Sequence, residues 1–349
     1  MANNPFTLTF GTEPIQYINR NTQTNEIIST FSGEMPATNV YMISGVRGSG
    51  KTVLLTNIAD YFEKKDEWIV VNVTPDVDIL NTVAAKLYSR SELKKLFVQA
   101  KLDLSAFGLG VSIEKGNQIF DIETALEKML AELGKKKKRV LITIDEVVKN
   151  NNIKIFAGVF QLFIRQKLPV YLIMTGLYDN IYNLQNEDTL TFLYRAPKVV
   201  LEPLSIGAIA SSYAKVFDMA REEAGNMAKL TKGYPFAYQV LGYLFWDSRE
   251  KKKNSKIEDV IPEYDHMLEE YVYEKIWSEL SQKEKDIIAI LAENESTKVI
   301  DIRERLNYKS NEMSVYRDRL KKKGIIDVSS YGSISLKLPR FGEVISYWV

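Results

Sequence analysis

The sequence predicts an α/β core on a parallel sheet, followed by an all-helical segment and a C-terminal winged helix-turn-helix. Three observations carry this reading. Five short runs rich in Val and Ile alternate with helical stretches over residues 39–204. Beyond about 205 the strand-like runs stop and helical spacing continues alone. From about 281, three short helical stretches precede two alternating runs joined at a glycine. A chain of 349 residues exceeds one ordinary core. We expect domains at 1–203, 204–280 and 281–349.

The five runs are "NVYMIS" (39–44), "WIVVNV" (68–73), "RVLITID" (139–145), "PVYLIMT" (169–175) and "KVVLEPL" (198–204). Most are continuously apolar, which suits strands buried on both faces of a parallel sheet. Stretches such as "TVLLTNIADYFEKK" and "DIETALEKMLAELGKKKK" lie between them and supply the crossover helices. Residues 102–118, "LDLSAFGLGVSIEKGNQ", break the pattern and read as an insertion or small hairpin before a helix at 121–134. The lysines of "KKKKR" (135–139) read first as a solvated helix end and second as a nucleic-acid patch.

In the helical segment, "SIGAIASSYAKVF", "REEAGNMAKLT", "FAYQVLGYLFWDS" and "PEYDHMLEEYVYEKIWSEL" have helical spacing, with a charged connector at 249–259. In the last segment Ser281 and Glu284 have the spacing of a capping box. A short helix follows around 298–306. The next helix is expected to start at Ser310 as N-cap and stop at Gly324. "IIDVSS" and "ISLKLP" then form a wing around "YGS".

Composition narrows the function. Apolar residues are 45% and charged residues 26%, as in globular proteins. The net charge of +1 provides no global field toward a polyanion. Without cysteine there are no disulfides or thiolate metal sites. His266 is the single histidine, so neither a Ser-His-Asp triad nor a multi-histidine metal site is expected, and its acidic helical context points to a structural or surface role. No leader pattern and no long apolar run appear, so a cytoplasmic protein without membrane contact is expected.

One octapeptide carries chemistry. "GVRGSGKT" meets GxxxxGK[ST] through Gly45, Gly50, Lys51 and Thr52, between an apolar strand and a helix. Glycines let backbone N–H groups turn inward around phosphates. Gly45, Val46, Arg47, Gly48, Ser49, Gly50 and Val53 complete the expected cradle. Lys51 reaches the β- and γ-phosphates, and the Thr52 hydroxyl is a ligand for Mg²⁺. A partner site follows in "VLITIDEV": Asp145 ends a buried strand, where Mg²⁺ would offset the cost of its charge. Glu146 is placed to polarise the attacking water. No Asn-Lys-x-Asp loop for guanine is present, so ATP is favoured. Thr175, at the end of the fourth run, either positions that water or satisfies local backbone. Arg195, just before the fifth run, either reaches a neighbouring subunit's γ-phosphate in a homo-oligomer or is an ordinary surface arginine.

The order of "GVRGSGKT", "LITIDE", "YRAPKVVLEPL" and "GYPFAYQVLG" (233–242) resembles the AAA+ ATPases, in the archaeal and bacterial branch near the origin-recognition initiators and the STAND ATPases. The resemblance covers nearly the whole chain from about residue 20. It implies a P-loop sheet of order 5-1-4-3-2, a helical lid and nucleotide contact through Pro235 of the Gly-x-Pro turn. The chain departs from the initiator pattern: no sensor arginine follows Gly233, which implies slow hydrolysis in a switch.

In DNA-reading winged helices the third helix enters the major groove. Here it would present Lys309, Arg317, Arg319, Lys321 and Lys322 to double-stranded DNA, with Asn311 and Ser314 near its start and Lys337 and Arg340 flanking the wing. The net charge of 281–349 is only +3, so packing on the ATPase core or on a partner protein is the alternative. Two functions stand: an ATP-hydrolysing regulator whose nucleotide state controls assembly or a DNA-binding module, or a non-catalytic ATP-gated scaffold or transcriptional regulator in defence or mobile-element systems.

Overall fold

The computed structural model describes all residues except 1–2, 10–13, 110–116, 188–189, 253, 295 and 349. The chain forms two compact units, residues 20–44 with 51–200, and residues 3–19 with 45–50 and 201–348. No helix among the described residues is long and apolar enough to cross a membrane.

The first unit is α/β. Its chain order is α1 (Asn21–Ser32), β1 (Val40–Ser44), α2 (Lys51–Glu63), β2 (Trp68–Val73), α3 (Ile79–Ser89), α4 (Ser91–Gln99), α5 (Ile122–Lys135), β3 (Arg139–Ile144), α6 (Asn151–Arg165), β4 (Val170–Gly176), α7 (Tyr178–Gln185), α8 (Thr191–Arg195) and β5 (Lys198–Val200). The sheet is parallel with order β2-β3-β4-β1-β5, which read from the β5 edge is 5-1-4-3-2. Every residue of β1 and β4 is buried, as their continuous apolar sequences require. Met42, Ile142, Leu172 and Met174 join Leu126, Met129 and Phe160 in one core. Side chains of Asp78, Asp121 and Asn150 cap α3, α5 and α6 by accepting backbone N–H bonds.

Two expectations change here. The fifth strand stops at Val200 rather than 204, because Pro203 has no N–H for a ladder and Leu204 N–H donates instead to Gly233 O at 2.7 Å. Within 102–118, Leu102–Asp103 and Asn117–Gln118 pair in parallel, so these two segments are not the arms of a hairpin. The rest of that stretch, 110–116, lies outside the described residues.

The second unit is mostly helical: α9 (Ile206–Phe217), α10 (Arg221–Lys229), α11 (Pro235–Lys251), α12 (Ile261–Leu268), α13 (Glu274–Ser278), α14 (Gln282–Ala292), α15 (Val299–Arg305), α16 (Ser310–Lys322) and α17 (Phe341–Ile345). A π turn, Glu269–Tyr273, divides what the sequence suggested was one helix into α12 and α13. The expected connector is partly helical: α11 runs on to Lys251, and Arg249 donates to Phe217 O at 2.7 Å. β6 (Thr297–Lys298), β7 (Ile326–Asp327) and β8 (Ser333–Leu336) form an antiparallel sheet of order β6-β8-β7. The N-terminal stretch packs among these helices. Phe6 is buried against Tyr213 and Tyr238, and an added Cβ at Gly242 would meet its ring at 2.5 Å.

Ser281 and Glu284 form the expected capping box on α14. Ser310 is the first helical residue of α16, and the cap position falls one residue earlier, on Lys309, whose backbone is extended and whose side chain makes no cap bond. Glu284 is nearly fully buried and ion-paired with Lys323 at 2.9 Å, and its Oε2 accepts from Ser281 N–H and Oγ at 2.8 Å each. Burial alone would raise its pKa, but Lys323 and the Ser281 bonds outweigh it and hold the carboxyl below its ordinary value. A depressed folded pKa gives stability that is present above the unfolded value and lost as pH falls through the folded one. Glu284→Gln should therefore cost about 1–2 kcal/mol near neutrality. Urea melts against pH should show a shallower acid limb for this variant than for the parent; equal limbs would refute the linkage.

Candidate functional site

β1 ends at Ser44 and α2 begins at Lys51. The six residues between them make the turn that the sequence requires. Ser49 N–H donates to Val46 O at 3.2 Å, and Gly48 and Gly50 have φ of 71° and 86°. A Cβ on Gly48 would lie 2.3 Å from the Tyr234 hydroxyl, and one on Gly45 would lie 2.5 Å from Ser49 Oγ. The glycines are therefore needed for close approach as well as for backbone angle.

Residues from the start of α11 grip this turn. The Tyr234 hydroxyl donates to Arg47 O, and Phe236 N–H donates to Gly48 O at 3.2 Å. Burial pushes the Tyr234 phenol well up, so it remains a donor. Pro235 occupies the first turn of α11, where a missing N–H costs nothing. Arg47 forms a forked pair with Glu279, at 2.6 Å through Nη2 and 3.4 Å through Nε. Tyr234 and Glu279 were not singled out from the sequence. Tyr234 sits inside the quoted "GYP", but nothing local marks Glu279, which lies more than two hundred residues from Arg47.

In the α/β unit, Lys51 is the buried first residue of α2. Asp145 follows the last residue of β3, and its carboxylate is held by two hydroxyls. Thr52 Oγ1 donates to Oδ2 at 2.6 Å, and Thr175 Oγ1 donates to Oδ1. Thr175 is fully buried and also accepts Glu146 N–H at 3.3 Å. Glu146 N–H donates to Asp145 Oδ1 at 3.0 Å as well. Glu146 itself is exposed with φ of 53°, a left-handed conformation uncommon for a glutamate. The structure thus brings together Thr52, Asp145, Glu146 and Thr175. Val53 is part of the same helix as Lys51 and is half-buried. Arg195 is the exposed last residue of α8.

The basic residues singled out in 281–349 separate into two groups. Lys309, Arg317, Arg319, Lys321 and Lys322 are exposed on or beside α16, with Lys322 paired to Asp318 at 2.6 Å. Lys337 and Arg340 are instead held within their own unit, by Glu202 at 2.5 Å and Asp265 at 2.6 Å.

Residues 17–169 match the family described as "ATPase domain predominantly from Archaea", and residues 270–345 match a domain of unknown function, DUF8462. Among solved structures, a Walker-type ATPase of Pyrococcus abyssi is similar with a TM-score of 0.62 at 16% identity, covering 94% of this chain and 95% of that one. The ORC2 protein of Aeropyrum pernix, in ADPNP-ADP complexes, gives 0.60 at 13% identity, over 95% and 94%. Cdc6p from Pyrobaculum aerophilum gives 0.52 at 14% identity, over 99% and 97%. No curated protein matches the chain.

Proposed function

We propose that the chain, whose fold is that of the AAA+ ATPases near the origin-recognition proteins, binds ATP with Mg²⁺ and hydrolyses it slowly as a regulatory switch. The observation that carries this is the cluster of Thr52, Asp145 and Thr175, in which Thr52 directly follows Lys51 at the head of α2. A hydroxyl that donates a hydrogen bond to Asp145 keeps lone pairs for a cation. Thr52 and Asp145 are hard oxygen donors, and Mg²⁺ needs only one or two protein oxygens beside phosphate and water. The residues therefore fit the ion, which when bound neutralises charge on the β- and γ-phosphates. Lys51 adds its charge to the same phosphates. Glu146 accepts a proton from the attacking water, and Thr175 acts as a positioning residue that fixes Asp145 and the Glu146 backbone.

The switch runs through Arg47. Its pair with Glu279 is about one-third exposed on each side, and such pairs are worth about 0–1 kcal/mol. A phosphate offered to Arg47 would compete with Glu279 for the guanidinium, and in this reading nucleotide frees the segment that leads into α14. Residues 281–349 are read as a winged helix whose α16 presents Lys309, Arg317, Arg319, Lys321 and Lys322 to duplex DNA, and Arg195 as a contact in nucleotide-dependent self-assembly. The test is ATP binding and phosphate release by the full chain, with Mg²⁺ and with chelator. Lys51→Ala should lose ATP binding, and chelator should stop release. Binding without any release, with or without DNA, would replace the hydrolytic switch by a non-catalytic ATP-gated scaffold.

A further inference from the structure

The lysine run at 135–138 belongs to a larger feature that the nucleotide chemistry does not use. In a parallel sheet, every segment entering a strand lies at the same edge, opposite the strand ends that carry Asp145 and Thr175. Three such segments adjoin here. Arg139 N–H donates to Glu67 O at 2.7 Å, Val140 N–H donates to Pro169 O at 2.8 Å, and the Lys138 ammonium donates to Asp66 O. Residues 63–67, 132–139 and 165–169 therefore form one continuous strip before β2, β3 and β4. The strip holds nine basic and four acidic residues, a net of +5, whereas the whole chain has +1. Two of the acids are already engaged, Glu63 by Arg90 at 3.1 Å and Glu132 by Lys135 at 2.5 Å. Lys64, Lys65, Lys136, Lys137, Arg165 and Lys167 are all exposed.

Helix dipoles do not account for this charge. One cation at the end of α2, α5 or α6 is worth about 0.3–1 kcal/mol, and the effect fades beyond the last turn, yet α5 is followed by three further lysines. Lys137 and Lys167 moreover have left-handed φ of 55° and 58° at the closures of α5 and α6, where glycine is the less costly residue. The charge thus stands at positions where glycine would cost the backbone less.

We propose that this strip binds the phosphodiester backbone of a nucleic-acid duplex, without reading sequence and separately from α16. Exposed cations at the entries of three adjacent strands suit a polyanion track. No amphipathic helix among the strip's residues supplies the apolar face that an anionic lipid surface would need. The inference does not depend on the ATPase reading.

The experiment is anisotropy titration of the full chain with a labelled random-sequence duplex between about 50 and 200 mM salt. The Lys137→Gly/Lys167→Gly double variant removes two charges where glycine is tolerated, so its thermal midpoint should not fall. Its slope of log K against log salt should be shallower than the parent's by about 1.8, at ~0.9 per contact. An unchanged slope, no duplex binding by the parent at low salt, or loss of binding only in an Arg317→Ala/Arg319→Ala variant would overturn the proposal. Parent binding to phosphatidylserine vesicles but not to duplex would overturn it too, in favour of a membrane surface.

Discussion

Glu146→Gln is expected to lower steady-state phosphate release by about 10²–10⁴-fold while leaving ATP affinity unchanged. Glutamine keeps the shape of the side chain but cannot take a proton. The backbone that presents it should not move, because Glu146 N–H is held by Asp145 Oδ1 at 3.0 Å and Thr175 Oγ1 at 3.3 Å, neither of which the substitution touches. The left-handed φ of 53° supports a functional placement. A strained angle costs about 1–3 kcal/mol and persists where the surroundings enforce it. Here they do: Val147 N–H donates to Thr175 O at 2.7 Å just beyond the kink, so the chain is clamped on both sides of the Glu146 side chain. Single-turnover release measured beside nucleotide binding separates the proton-transfer role from a folding defect. Turnover equal to the parent's would assign water activation to another group, while weakened binding would mean that Glu146 orders the phosphate site.

The strands and the glycine-rich turn at 45–50 were legible because their signals are local. Val40–Ser44 and Val170–Gly176 are apolar throughout, and a fully buried parallel strand has no other way to be written. Gly45, Gly48 and Gly50 are fixed by backbone geometry and close approach, which a spacing rule captures. Sequence alone leaves Thr175 between ordering a water and satisfying local backbone. Its hydroxyl in fact bridges Asp145 and the Glu146 backbone, a pairing across neighbouring strands that no sequence window contains. The partners of the loop were equally hidden. Tyr234, Phe236 and Glu279, which meet residues 47 and 48, lie some two hundred residues away in sequence. Charge was legible as composition but not as position. Lys337 and Arg340 looked like flanks of a nucleic-acid surface, yet they are neutralised by Glu202 and Asp265. The lysines near 135 looked like one solvated helix end until β-sheet register joined them to residues 64–65 and 165–167.

Gly233→Ala should be the most disruptive single-methyl change in the helical unit. An added Cβ would stand 2.4 Å from Leu204 O and 2.9 Å from Pro203 Cβ. The nearer atom is backbone, and it cannot swing away as a side-chain tip would. Retreat would also strain the Leu204 N–H bond to Gly233 O at 2.7 Å, which turns the chain after β5. The φ of 75° adds a left-handed penalty of about 1 kcal/mol to overpacking of about 1–3 kcal/mol. The sum, about 2–4 kcal/mol, corresponds to a fall in midpoint of roughly 5–15 °C for a unit of this size. The damage should reach the phosphate loop, because Gly233 immediately precedes Tyr234, whose hydroxyl grips Arg47 O, and Pro235, which starts α11. ATP should therefore bind more weakly and rescue less of the lost midpoint than it adds to the parent. Tyr234→Phe separates the two effects: it removes one hydrogen bond, about 1 kcal/mol, and leaves the Gly233 turn intact. A Gly233→Ala midpoint equal to the parent's would show that the turn has room for the methyl group beside Leu204 O. A normal ATP-induced rise in both variants would release the loop from any dependence on α11.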